Sequence, residues 1–217
     1  MAGLLALLLI ASSIVAGPFW PAAAATPVQR TVLVVGDSLS AEYGLPRGTG
    51  WVALLSARLQ QQGAKYSVVN ASISGETTSG GRTRLPSLLS QHRPAIVVIE
   101  LGANDGLRGL SLSAMRENLD AMAAAAAAGG ARVLIVGMRL PPNYGAAYVD
   151  RFHAAFEAVA KMRHAAFVPF LMEGFADQRD LFQADTIHPT AAAQPRLLEN
   201  VWPALSPMLA AAGAAGH

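Results

Sequence analysis

The chain has 217 residues, enough for one domain with a substantial core. It is 53% hydrophobic and 14% charged, with a formal net charge of +2 and no run of Lys or Arg, which argues against a nucleic-acid-binding surface. It contains no cysteine, which excludes disulfides, a thiol nucleophile and thiolate metal sites.

Residues 1–25 read as an export signal. A mostly apolar run over 4–15 is broken by Pro18 and Pro21, and Ala23, Ala24 and Ala25 follow as small residues. No Lys or Arg precedes the run, which departs from the usual pattern. The run is shorter than the ~20 residues that a membrane-spanning helix needs. Cleavage before Thr26 is the expectation, with a single domain over 26–212 and a flexible tail over 213–217. An exported chain without disulfides is compatible with the periplasm.

Beyond the signal, apolar β-branched runs alternate with helical patterns. Residues 32–35 (VLVV) predict a buried strand ending in Gly36-Asp37-Ser38, followed by a helix. Trp51, Leu54, Leu55 and Leu59 recur at helical spacing and predict a helix over 51–62, stopped by Gly63. A strand is expected over 66–71. A helix over 77–91 follows, capped by Thr77 or Thr78, with Pro86 as an irregularity. The third strand is expected over 95–101, and an Ala-rich helix over 113–128 closes at Gly129-Gly130. A fourth strand over 132–138, a helix over 146–164, a short strand over 166–170 and a last helix over 191–209, interrupted by Pro195 and Pro203, complete the pattern. Such alternation predicts an α/β fold: a doubly wound parallel sheet with helices on both faces. Right-handed crossovers then place every strand's carboxyl end on one rim, where such sheets bind ligands.

The residues just after the strands carry the chemistry. They are Ser38 after the first, Ser72 to Thr77 after the second, Gly102-Ala103-Asn104-Asp105-Gly106 after the third, and Asp185-Thr186-Ile187-His188-Pro189 beyond the fifth. A serine hydroxyl attacks a carbonyl carbon only if a base removes its proton, and His188 can take that proton and return it to a leaving group. Asp185 is close enough in sequence to fix the imidazole tautomer. The N–H groups of Ser38 and Gly75 and the side-chain amide of Asn104 offer three donors to an oxyanion. Each motif alone is ordinary. Four of them in chain order, each on the same rim, point to a nucleophilic serine.

These blocks resemble the SGNH (GDSL) hydrolase family, whose four letters fall on Ser38, Gly75, Asn104 and His188, with Asp185 as third member of the triad. The segments 70–75 (NASISG), 102–109 (GANDGLRG) and 139–145 (RLPPNYG) look like the bacterial periplasmic thioesterase I/lysophospholipase branch. The likeness spans about residues 31–195. It implies a three-layer, flavodoxin-like sheet of order 2-1-3-4-5 and hydrolysis of esters and thioesters with acyl chains. No His/Asp/Glu cluster has metal-ligand spacing and no phosphate loop occurs in the sequence, so no metal and no cofactor are expected, and the expected protein is a monomer acting on a small acyl substrate. A carbohydrate deacetylase with the same triad and a different pocket is the alternative, and an inactive acyl- or glycan-binding module is a more distant one. Residues 42–50 and the helix after Gly75 depart from the family pattern. The G-x-S-x-G elbow of other hydrolases is absent.

Leu107, Leu110, Leu140, Pro141 and Tyr144 are apolar residues in rim loops and are the candidate acyl-binding groove. Glu76 is expected in solvent, Asp105 is expected to order its own loop, and Arg108 to meet either an anionic head group or a salt-bridge partner in its loop. Trp51 is expected in the core. His92, His153, His164 and His217 are expected in structural or solvated roles.

Overall fold

The computed structural model describes residues 29–211. The export signal, its cleavage point and the tail over 213–217 lie outside the described residues. Five parallel strands form one sheet: β1 (Arg30–Gly36), β2 (Tyr66–Asn70), β3 (Ile96–Glu100), β4 (Arg132–Val136) and β5 (Ala166–Val168). Their order is β2-β1-β3-β4-β5, as expected. The switch point lies beside β1, so its carboxyl end opens into the crevice where the sheet changes direction. Val32 to Val35 and Ile96 to Ile99 are fully buried, as central strands covered on both faces must be.

The helices are α1 (Trp51–Gln61), α2 (Thr78–His92), α3 (Ala103–Leu107), α4 (Leu112–Ala128), α5 (Ala146–Met162) and α6 (Gln194–Ala211). In one layer α1 packs on α6, and in the other α4 packs between α2 and α5. Among the described residues, no helix is long and apolar enough to cross a membrane.

Several expectations need correction. No helix follows Ser38: residues 38–44 wind through turns, and the first helix waits until Trp51. α4 starts at Leu112 because Ser111 is its cap, its Oγ accepting the Ala114 N–H at 3.3 Å. Proline does not interrupt α6. Pro195 sits in the first turn, where no helical N–H is needed, and Pro203 faces solvent within a continuous helix. The loop expected after β3 is itself helical over Ala103–Leu107. Gly106 reads as a turn residue, yet it is glycine for packing: a Cβ there would stand 2.5 Å from the Phe152 ring.

Candidate active site

Gly36 ends β1 opposite Glu100 of β3. A Cβ at position 36 would stand 2.8 Å from both Glu100 Oε2 and Ser40 Oγ, so only glycine fits. Asp37 closes the turn that follows. Its Oδ1 accepts the Leu39 N–H at 3.0 Å, and its carbonyl accepts the Ala41 N–H at 2.9 Å. Ser38 is left half-buried on a cavity wall.

The second segment is a tight turn built by its own aspartate. Asp185 Oδ1 accepts the N–H groups of Ile187 and His188, each at 3.0 Å, and Oδ2 accepts from His188 Nδ1 at 2.7 Å. The bonds hold Thr186 at a φ of 65°, a left-handed conformation costly for a β-branched residue. The His188 amide, above all, holds the Asp185 carboxyl down from 3.8 to about 2. An ionised carboxylate only accepts, so Nδ1 carries the ring proton and Nε2 is left as acceptor. Ser38 Oγ donates to it at 2.8 Å. The face of this imidazole carries the Tyr43 ring, with ring centroids 4.4 Å apart.

The donor loops meet through an arginine. Gly75 has a φ of 78°, which suits glycine. Arg108 Nη2 donates to Gly75 O at 2.9 Å and to Asn104 Oδ1 at 3.4 Å. Asn104 Nδ2 donates to Asp37 Oδ2 at 3.0 Å, leaving its second N–H for a ligand. Among the described residues, the Ser38 and Gly75 N–H groups have no intramolecular partner. Three donors are thus available, in loops tied to one another.

Beneath the turn lie two buried acids that sequence reasoning missed. Glu100 Oε2 accepts from Ser40 Oγ at 2.6 Å and more weakly from the Asp37 N–H at 3.4 Å. Trp51 Nε1 donates to the same Ser40 hydroxyl at 3.2 Å. Burial pushes Asp37 up from 3.8 to about 6, against the opposing Leu39 and Asn104 bonds. Burial, then the Asp37 charge, pushes Glu100 well above its usual range. A neutral Glu100 fits this setting, since its Oε1 is buried without a partner. Nothing in the sequence marks a glutamate in an apolar strand as a buried acid.

A cavity of about 600 Å³ opens beside Ser38, Asn104 and His188. Leu107, Leu140 and Pro141 line it with Met138, Phe170, Met172, Phe182 and Ile187. That volume and apolar lining suit a small apolar ligand. Leu110 and Tyr144 are not in its wall: both are exposed, and Tyr144 Oη donates to Leu107 O at 3.1 Å. Tyr144 therefore props the end of α3 that carries Leu107.

The neighbouring residues correct two expectations and remove one of the two readings of a third. Glu76 is not solvated but pairs with Arg84 and is nearly buried. Asp105 orders α2 rather than its own loop, accepting from Thr78 N at 2.9 Å and Thr78 Oγ1 at 2.6 Å. Arg108 makes the carbonyl and amide contacts given above in place of a salt bridge. Trp51 is fully buried, as expected. His153 contacts the Met138 carbonyl and Arg139, away from Ser38. Among the described residues, no group of three or more His, Asp and Glu side chains is placed to hold a metal ion.

A sequence model of the GDSL-like Lipase/Acylhydrolase family matches residues 34–195. Esterase TesA of Pseudomonas aeruginosa is 56% identical over 180 residues, covering 83% of this chain and 90% of that protein. Thioesterase 1/protease 1/lysophospholipase L1 of Escherichia coli K12 is 41% identical over 179 residues, covering 82% and 85%. The crystal structure of psychrotrophic esterase EstA from Pseudoalteromonas sp., inhibited by monoethylphosphonate, superposes with a TM-score of 0.79 at 39% identity, covering 83% of this chain and 99% of that one. The sheet order agrees with these likenesses, and the chain belongs to the GDSL-like Lipase/Acylhydrolase family.

Proposed function

We propose that this chain is an exported serine esterase and thioesterase that passes an acyl group from an ester or thioester to Ser38 and then to water. The observation that carries this reading is the unbroken chain of bonds Asp185–His188–Ser38, at 2.7 and 2.8 Å, opening onto an apolar cavity. Ser38 Oγ attacks the carbonyl carbon while its proton moves to His188 Nε2, and the carbonyl oxygen becomes an oxyanion held by Ser38 N, Gly75 N and Asn104 Nδ2. The oxyanion collapses, the alcohol or thiol leaves with the proton from His188, and an acyl-Ser38 ester remains. Water then attacks that ester, giving its proton to His188, and the acid departs as Ser38 recovers its hydrogen. Asp185, ionised far below neutral pH, holds the ring and favours its charged form.

The esterase and thioesterase names of the relatives support this substrate class, which for this chain covers aryl esters, acyl thioesters and lysophospholipids. A carbohydrate deacetylase would need only acetate-sized room on the acyl side and a polar surface for the sugar, and an apolar cavity of this size favours a longer acyl chain. The periplasmic location rests on residues 1–25, and the monomeric state on the family resemblance.

The test is hydrolysis of p-nitrophenyl acetate, octanoate and palmitate and of a lysophospholipid by the mature protein. Octanoate should exceed acetate in kcat/KM, and rates confined to acetate would favour deacetylation. Ser38→Ala should lower kcat by about six orders of magnitude, and more than about one per cent residual activity would sink the nucleophile assignment.

A further inference from the structure

His188 has both ring nitrogens engaged, to Asp185 and to Ser38, which fixes the ring in its plane. Nothing in that pair of bonds stops the ring from tilting about the line joining them. Tyr43 lies on its face at 4.4 Å between centroids, with planes 39° apart. Tyr43 is 49% exposed, so the hydrophobic effect alone does not explain its place.

Its backbone is held to the His188 loop by Gln183. The Gln183 Nε2 donates to Tyr43 O at 2.9 Å and to Pro189 O at 3.2 Å, while the Gln183 N–H donates to His188 O at 2.8 Å. Gly44 leaves space for this clamp, because a Cβ there would lie 2.1 Å from Gln183 Oε1. The Tyr43 N–H also reaches Ser38 O, at 3.4 Å. Gln183 thus ties Tyr43 to the segment carrying the histidine, and the Tyr43 amide ties it to the turn carrying the serine.

We propose that Tyr43 is a positioning residue for His188, its ring closing the open face of the imidazole and favouring the imidazolium formed when Ser38 gives up its proton. The inference rests on the esterase mechanism above. As the Oγ–carbon bond forms, the proton moves to Nε2 and the ring becomes a cation. An aromatic face within about 6 Å of a cation attracts it through the ring quadrupole. The other charges facing this ring are Asp185 at Nδ1 and Asp37 from the turn after β1, with Arg139 and Asp177 lining the same cavity. None of them changes when residue 43 is replaced.

Tyr43→Phe and Tyr43→Leu separate the aromatic face from simple cover. The leucine still covers the ring but has no quadrupole. Tyr43→Leu should lower kcat about fivefold with KM held within about twofold, while Tyr43→Phe overlays the wild type. The His188 imidazole titration, followed by NMR without substrate, should move to lower pH by about half a unit in the leucine variant only. The titration of Asp37, at about 6, is common to all three proteins.

A leucine variant matching the wild type in kcat and ring titration would overturn the proposal. So would a loss in KM alone, or equal losses in both variants, which would assign the role to substrate contact or to the phenol hydroxyl. Should the wild-type protein hydrolyse no ester, the proposed function falls, and the NMR titration still decides whether Tyr43 acts on the imidazole.

Discussion

Replacing Asp105 by alanine should unfold the protein several degrees early and blunt the site at the same time. Asp105 is 3% exposed and Thr78 is fully buried, so water reaches neither. The carboxylate accepts the first N–H of α2 and the Thr78 hydroxyl, at 2.9 and 2.6 Å. Its loss orphans the amide and leaves the hydroxyl with only the Asn118 donor, at 3.2 Å. Bonds to a charged group are worth about 1.5–3 kcal/mol each, and a total loss of about 3 kcal/mol is expected. For a domain of this size that is about 6–12 °C in Tm. Thr78→Val removes the hydroxyl and keeps the amide bond, so it should cost about 1 kcal/mol. The double variant should be milder than the sum by about 1 kcal/mol, because both changes remove one shared bond. Asn104 precedes Asp105 in α3, so kcat should fall about tenfold as the oxyanion donor loses its anchor. Thermal unfolding and p-nitrophenyl ester kinetics check both halves. An Asp105→Ala protein melting within about 2 °C of wild type would refute the capping account.

Two further outcomes follow from the same geometry. Arg108→Ala should lower kcat about tenfold with KM nearly unchanged, since Arg108 aligns Gly75 and Asn104 rather than touching the acyl chain; a change confined to KM would make it a substrate contact. The buried acids give stability an inverse pH dependence. Asp37 is raised to about 6, so the folded state binds more protons than the unfolded chain between about pH 4 and that value. Its stability contribution is present below 3.8 and is lost as pH rises through about 6, and Glu100 acts in the same sense. Chemical denaturation should therefore give a stability that falls from about pH 4 to about pH 7, less steeply in Glu100→Gln. A flat curve in the wild type would count against the buried charges.

The rim residues were legible because a parallel sheet converts chain order into position. Once the five strand-like runs read as parallel, Ser38, Gly75 and Asn104 had to share an edge, and Asp185 with His188 needed only to reach it. What stayed hidden depends on contacts between distant segments. Glu100 reads as the polar end of a strand until the register sets it beneath Gly36. Asp105 reads as a turn residue until α2 brings Thr78 to it, and Gly106 until Phe152 fills the space where its Cβ would go. Leu110 and Tyr144 are apolar and near the groove, but composition does not say which way a loop side chain turns. Tyr43 carries no motif, and its contact exists only because Gln183 clamps two segments 140 residues apart.

Asp185 and His188 occupy a four-residue turn that their own side chain closes, so base and orienting group travel as a single piece. The one relation the whole fold must supply is the 2.8 Å between His188 Nε2 and Ser38 Oγ, across 150 residues of chain. A serine-directed phosphonate therefore doubles as a ruler for the native state. Its labelling rate should decay with any loosening between β1 and the C-terminal segment, before helix content or core fluorescence reports that the protein has begun to open.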